Sequence, residues 1–319
     1  MEGVDCFVLV PNYNGHVKGF LDDCLSSILK SGLQAKDVSI SAMVVDDNSS
    51  DSSEELILKY VTRKESGSFP FYYLQTGRNI DVTGIYNLGI SRILNSFPDV
   101  KYIVTLDSDT VVDREFLPTL VKAAQSSGNR SGMLATNQFF LVDGKRTRRH
   151  RSTGHFVTPD GDTWDRDYGD GGTGREKIIG PCLSGGLLKV SMIRDVGLML
   201  PEYKHYHTCT ELGLRAQIRG WGVRYVEAAR MWHAGLRPSE RAIESEVPRI
   251  WNILRFFPES EIEGAIRSYE QGAADGLERG RLHRFVNIAK RTCPPVYSIP
   301  EGKRRVYREL IQPNRHPDD

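Results

Sequence analysis

Apolar positions along this chain fall into two periods that alternate for its first 125 residues. Cys6-Phe7-Val8-Leu9-Val10 is a continuous apolar run stopped by Pro11, the signature of a strand buried on both faces. Val17, Phe20, Leu21, Cys24, Leu25, Ile28 and Leu29 then recur at helical spacing, and Gly32 closes that helix. A second strand, Ala42-Met43-Val44-Val45, ends in Asp46-Asp47. Asp51 and Glu54 have the spacing of a capping box and predict the start of the next helix. A third strand is expected near Phe71–Leu74, a third helix from about Gly84 to Phe97, a fourth strand over Tyr102–Leu106, and a helix near Arg114–Gln125. Strands alternating with helices predict an α/β fold, with a parallel sheet joined by right-handed crossovers.

The pattern changes after a further strand over Met133–Leu141. Residues 143–176 hold many Gly, Asp, Arg and Thr with little apolar periodicity, which predicts a long loop of functional or mobile character. Strand and helix signals return at Gly186–Val190, Glu211–Ile218 and Val223–Val226. Beyond about residue 237 the spacing is helical: Val247, Ile250, Trp251 and Leu254 mark one helix, and a second is expected over roughly 259–280. The expected organisation is therefore a domain over 1–237 (halves 1–125 and 126–237) and a helical extension over 238–319, ending in a Pro- and charge-rich tail.

Composition narrows the class without choosing an activity. The 319 residues carry a net charge of +1, so no global field points to nucleic acid or an anionic membrane. Cys6, Cys24, Cys182, Cys209 and Cys293 form no C-x-x-C pair and no zinc spacing, which suggests reduced thiols and a cytoplasmic compartment. No signal peptide is visible, and no apolar run nears the ~18 residues that cross a bilayer. Membrane contact would be peripheral at most.

Candidate chemistry gathers at the carboxyl ends of the predicted strands, where open α/β sheets bind ligands. These ends carry Pro11-Asn12-Tyr13-Asn14, Asp46-Asp47-Asn48-Ser49 and Asp107-Ser108-Asp109. Alternate side chains of a strand share a face, so Asp107 and Asp109 can aim at one point. Two such carboxylates repel unless a cation lies between them, and a hard divalent ion, Mg²⁺ or Mn²⁺, suits them. Asp-x-Asp at a strand end also serves as turn chemistry. No G-x-G-x-x-G follows the first strand, and Walker A, G-x-S-x-G and H-E-x-x-H motifs are absent from the sequence. Without a glycine cradle, a diphosphate would need the metal.

The segments VLVPNYNG (8–15), VVDDNSSD (44–51), GRNIDVTGIYNLGI (77–90) and VTLDSDT (104–110), in this order and spacing, resemble glycosyltransferase family 2 over roughly residues 4–237. That resemblance implies a GT-A, Rossmann-like, mostly parallel sheet flanked by helices, and inverting transfer from a nucleotide-sugar donor with a divalent metal. Pro11, Asn12, Tyr13 and Asn14 would line the nucleotide pocket, with Tyr13 against the base. Asp47 would accept a hydrogen bond from the base, compatible with a UDP-, dTDP- or GDP-sugar. Arg78 and Asn79 would approach the nucleotide. Asp107 and Ser108 would meet the ribose or metal, Asp109 would ligate the metal, and His233 would close the metal site. Gly185 and Gly186 would lie beneath the donor sugar. The acceptor would be a glycan, a lipid-linked sugar or a small molecule, and an oligomer is compatible with the sequence.

The acceptor side departs from the family. Relatives carry a Glu-Asp pair followed by x-Asp-Leu-x-x-Arg, with the Asp as base. Aligning Leu212 and Arg215 puts Thr208-Cys209 there. Glu211, His207 or His205 would then substitute, the acceptor would need little base help, or the chain would bind donor without catalysis. A nucleotidyltransferase is a further alternative, disfavoured because Asn12-Tyr13-Asn14-Gly15 lacks its Gly- and Lys/Arg-bearing loop. Lys145–Arg151 is a basic run, read as a solvated loop or as a partner for the donor diphosphate, an acidic acceptor or a membrane surface. Trp164 and residues 160–174 would form a lid.

Overall fold

A computed structural model describes residues 3–63, 69–170, 174, 176–235, 243–272 and 276–294. Strands β1 (Cys6–Asn12), β2 (Ile40–Asp46), β3 (Phe71–Gln75) and β4 (Tyr102–Leu106) alternate with helices α1 (Leu21–Gly32), α2 (Ser53–Val61) and α3 (Asp81–Ser96). All four strands pair in parallel, in the order β3-β2-β1-β4. The apolar runs are continuous because both faces are covered. Cys6, Val8 and Val10 join one buried cluster with α1, while Phe7 and Leu9 join another with α3.

The second half changes pairing direction. A short β5 (Thr110–Val112) and α4 (Phe116–Gln125) lead into β6 (Ser131–Val142) and β7 (Lys145–Ser152). Then come β8 (His155–Val157), β9 (Thr163–Asp165), β10 (Gly185–Lys189), α5 (Val190–Val196), α6 (Thr208–Ile218) and β11 (Gly222–His233). β10 is antiparallel to both β4 and β6, β11 runs parallel to β6, and β5 pairs antiparallel with the end of β11. Among the described residues the sheet has nine strands, in the order β3-β2-β1-β4-β10-β6-β11-β5 with β7 beside β6, and β8-β9 is a separate ribbon. Helices α7 (Ile243–Phe256), α8 (Glu259–Gln271) and α9 (Gly276–Thr292) follow. Ile250, Ile253, Phe256 and Ala289 share one core with Val157, Ile179, Tyr203, Leu214 and Ile218.

Several expectations need correction. Val17 is exposed and outside α1, which begins at Leu21; Asn14 and Gly19 adopt positive φ before it, and the Val17 N–H donates to Asp51. Asp51 therefore serves that loop and the Ser53 N–H, and the expected Asp51–Glu54 box does not form. The basic run is not a loop but strand β7. Asp143-Gly144, both at positive φ, make the two-residue hairpin that starts it, a signal present in the sequence. The helix expected over 259–280 is two helices, since α8 closes at Gly272. Residues 295–319, 236–242 (where the expected boundary at 237 falls) and 171–173 and 175 of the expected lid lie outside the described residues.

Candidate functional site

Asp107 and Asp109 leave β4 on a turn that β5 completes, and β5 pairs Thr110 with His233 at the end of β11. That pairing carries His233 to the aspartates. Its Nε2 lies 3.1 Å from Asp109 Oδ1 and 3.8 Å from Asp107 Oδ2. One ligand atom from each of the three residues fits within 4.8 Å of the others. The Tyr86 hydroxyl donates to Asp107 Oδ1 at 2.9 Å. Burial pushes the Asp107 carboxyl above the usual range, whereas His233 holds Asp109 below it against its own burial.

Two carboxylates and an imidazole suit a hard or borderline divalent ion. The backbone keeps room beside them: a Cβ on Gly235 would sit 2.7 Å from His233 Nε2 and 3.1 Å from Asp109 Oδ2. On the far side of the ring, Arg151 Nε donates to His233 Nδ1 at 2.9 Å. With Nδ1 accepting, the ring proton lies on Nε2, toward Asp109. A metal bound through Nε2 would move that proton to Nδ1 and displace the Arg151 contact. Arg151 belongs to the basic run that the sequence offers as a partner for the donor diphosphate; its contact with His233 follows from strand β7, which no apolar period announces.

The nucleotide-side residues occupy the ends of β1 and β2. Asn12 is buried and donates to Asp46 at 2.6 Å and to Ser49, while Asn14 accepts from the Ser50 N–H at 2.8 Å. These two asparagines therefore lock the β1 and β2 loops together. Tyr13 between them is 48% exposed, with the Lys18 ammonium 6.0 Å from its ring centroid. Asp47 accepts from the Ile80 N–H at 2.9 Å and from Thr76, and burial raises its carboxyl pKa. Pro11 is buried in β1, and Arg78 and Asn79 are exposed on the loop before α3. Ser108 is half-buried between the two aspartates.

The expected room over the glycines is filled by the protein itself. A Cβ on Gly185 would overlap the Met231 sulfur, and one on Gly186 would lie 2.5 Å from Pro181 Cβ. Both glycines let β10 pair with the end of β4, which fixes the aspartate turn.

Glu211 is fully buried. It accepts from Arg215 Nε and Nη2, both at 2.8 Å, and Arg255 Nη2 lies 3.4 Å from it. This environment is that of a buried ion pair with Arg215 and favours a structural role over the expected catalytic one. His207 precedes α6 at φ +59, with Nδ1 3.1 Å from Thr163 Oγ1 and 3.4 Å from Asn252 Nδ2. His205 is exposed. Thr208 Oγ1 contacts Thr83 Oγ1 at 2.8 Å. Cys209, set by the family resemblance where a base is expected, lies 3.2 Å from His155 Nδ1.

The glycosyl transferase family 2 profile matches residues 7–188. No curated protein shows significant sequence similarity to the chain. Among solved structures, S. aureus TarS superposes with a TM-score of 0.59 at 15% identity, covering 91% of this chain and 49% of that one. The chain thus spans about half the length of TarS. GalNAc-T7 with UDP, GalNAc and Mn²⁺ gives 0.62 at 10% identity, covering 91% of this chain and 56% of that one. The mannosyltransferase PcManGT from Pyrobaculum calidifontis, with GDP-Man and Mn²⁺, gives 0.53 at 11%, covering 97% and 80%. At these identities the likeness is one of fold. With a profile match over more than half its length and the GT-A architecture described above, the chain belongs to glycosyl transferase family 2.

Proposed function

We propose that this protein transfers a sugar from a nucleotide-sugar donor to an acceptor hydroxyl, with inversion and with a divalent metal held by Asp107, Asp109 and His233. The observation that carries the reading is the convergence of these three residues at one end of the sheet. Tyr13 would lie against the base and Asp47 would accept its N–H, which suits a uracil- or thymine-containing donor and leaves GDP-sugars to be tested. Arg78 and Asn79 would approach the diphosphate from the loop before α3. A bound divalent cation would supply charge neutralisation for the departing diphosphate. The protein's own part is to hold the donor at the ends of β1, β2 and β4 and to present the acceptor from the α6 side.

Mn²⁺ in the GalNAc-T7 and PcManGT structures supports the metal, and UDP in a TarS structure supports a nucleotide donor. Residues 1–125 would form the nucleotide half, 126–237 the acceptor half and 238–319 a helical extension. The acceptor would be a glycan, a lipid-linked sugar or a small molecule. All five cysteines are free and no described helix is long and apolar enough to cross a membrane, observations compatible with a cytoplasmic setting. Thermal shift with UDP-, dTDP- and GDP-sugars, each with and without Mn²⁺, tests the reading. A ligand at 100 times its Kd should add about 2.7 kcal/mol. Mn²⁺-dependent stabilisation by one donor class is expected; no response to any donor would overturn the reading.

A further inference from the structure

We infer that Cys209, His155 and Asp165 form a proton relay that activates the acceptor, in place of the carboxylate base absent from this chain; the inference rests on the glycosyltransferase reading above. Cys209 Sγ lies 3.2 Å from His155 Nδ1, and His155 Nε2 lies 2.9 Å from Asp165 Oδ1. A reactive group, a histidine and a carboxylate orienting its far nitrogen are recognised by geometry rather than by sequence order.

Separate parts of the fold build the arrangement. His155 and Asp165 are directly paired residues of the β8-β9 ribbon, so their side chains share a face. The His155 backbone is pinned on both sides, donating to Gly180 at 2.9 Å and accepting from the Ile179 N–H at 2.7 Å. Cys209 is the second residue of α6, at the positive end of that helix's dipole. The groups facing His155 are Cys209 from α6, Cys182 from the loop before β10, and Asp165 from β9. Burial alone would lower the imidazole pKa; these neighbours outweigh it and hold it well above the ordinary histidine value.

The relay also adjoins the aspartate site. Cys182 begins a loop in which the Leu183 carbonyl lies 3.0 Å from the Tyr86 hydroxyl and the Ser184 carbonyl accepts from the Asp107 N–H at 3.3 Å. Cys6 and Cys24 are fully buried, and burial pushes Cys24 up to about 12, whereas Cys209 is partly exposed. In the proposed step Cys209 has given its proton to His155 Nδ1, leaving a thiolate beside an imidazolium braced by Asp165. The thiolate takes the acceptor hydroxyl proton as the acceptor oxygen bonds to the anomeric carbon. The bond from that carbon to the diphosphate oxygen breaks, and its electron pair leaves with the nucleoside diphosphate. Loss of one proton to solvent restores the relay.

Alkylation by iodoacetamide, followed at the Cys209 peptide by mass spectrometry from pH 5.5 to 9, tests the pairing without any substrate. Expected is rapid modification persisting at pH 6, slowed at least ~10-fold by His155→Asn and by Asp165→Asn. A rate that rises only near pH ~8.5, as for an ordinary thiol, and is unchanged in the folded Asp165→Asn variant would overturn the inference. Release of UDP or GDP from UDP-N-acetylgalactosamine, UDP-glucose and GDP-mannose with Mn²⁺, water standing in for the acceptor, tests its use. Cys209→Ala should lower release roughly 100-fold, and Cys209→Asp should restore most of it and remove the dependence on His155. Full release by Cys209→Ala overturns the catalytic role. Absence of Mn²⁺-dependent nucleotide binding in the wild type would instead sink the glycosyltransferase reading, and the alkylation profile would still decide the pairing.

Discussion

Glu211 and Arg151 show how a single side chain acquires a role from its neighbours. Glu211 stands one helical turn from Thr208, near enough in sequence to replace a missing base. In the fold its carboxylate is bound by Arg215 and flanked by Arg255, all three side chains buried. Removing one partner of such a group leaves charges uncompensated in a low-dielectric interior. Glu211→Gln should therefore destabilise the protein by about 3–5 kcal/mol in urea denaturation. A stable variant that loses only turnover would return Glu211 to the catalytic role. Arg151 has the opposite history, since it was one member of a basic run and proves to touch His233. It would compete with a bound metal for the imidazole, and it adds positive charge beside that ring. Arg151→Ala is expected to tighten Mn²⁺ binding, measured calorimetrically without nucleotide, by roughly 3–10-fold, the scale of about 1 kcal/mol for a partly exposed charge. Donor affinity should fall in the same variant. Weaker Mn²⁺ binding would mean that Arg151 holds His233 in its ligating pose.

At the scale of elements, the aspartate turn depends on the seating of β10 against β4. Gly185 pairs with Leu106, the last residue before the turn, and has Met231 packed on its Cα. Gly185→Ala should cost about 1–3 kcal/mol through overpacking and should weaken Mn²⁺ binding, although the residue is no ligand. Unchanged metal affinity with reduced stability would confine its role to packing. Strands β1, β2 and β4 were legible in sequence because two-sided burial writes long apolar runs, and the Asp107-Asp109 turn stood out at the end of one of them; β3, with only Phe71 buried, showed as a short aromatic run. β7 was not, because this edge strand is exposed on both faces, at Lys145 and Arg146 and again at Arg148 and Arg149, and is almost wholly charged; such charge also discourages edge-to-edge pairing. The His155–Asp165 pair was invisible for a different reason. Three-residue strands leave no period to read; the Pro159-Asp160-Gly161 turn that joins them, with Gly161 at positive φ and the Thr158 N–H donating to the Asp162 carbonyl at 2.9 Å, is a local signal for the hairpin, but it does not say that His155 and Asp165 meet Cys209. Cys209 could be flagged only as a departure from the family; what stands beside it required the fold.

The whole molecule bears on whether the helical extension is separable from the transferase domain. Its helices pack on one another and on the preceding part of the chain in a single cluster, so their core is shared. Ile250, Ile253 and Phe256 of α7 pack with Ile179, Tyr203, Leu214 and Ile218 from the preceding part of the chain. Polar links follow the same route: Asn252 accepts from the Tyr203 hydroxyl at 2.9 Å and contacts His207, Arg255 approaches Glu211, and Arg249 meets Asp160 beside the β8-β9 ribbon. Burial of three such apolar side chains contributes about 5–9 kcal/mol, comparable with the whole stability of a typical domain, about 5–15 kcal/mol. A chain ending at residue 237 should therefore fail to unfold cooperatively and should aggregate or bind hydrophobic dye, as judged by gel filtration and denaturation. Because the extension braces both the ribbon that carries His155 and Asp165 and the helix that carries Cys209, any soluble fraction should lose fast alkylation of Cys209 at pH 6. Nucleotide binding at the distant ends of β1 and β2 should decline less. A monomeric, cooperatively folding chain 1–237 with an intact Cys209 profile would show instead that the extension is an appendage, and that the acceptor side is organised by the GT-A domain alone.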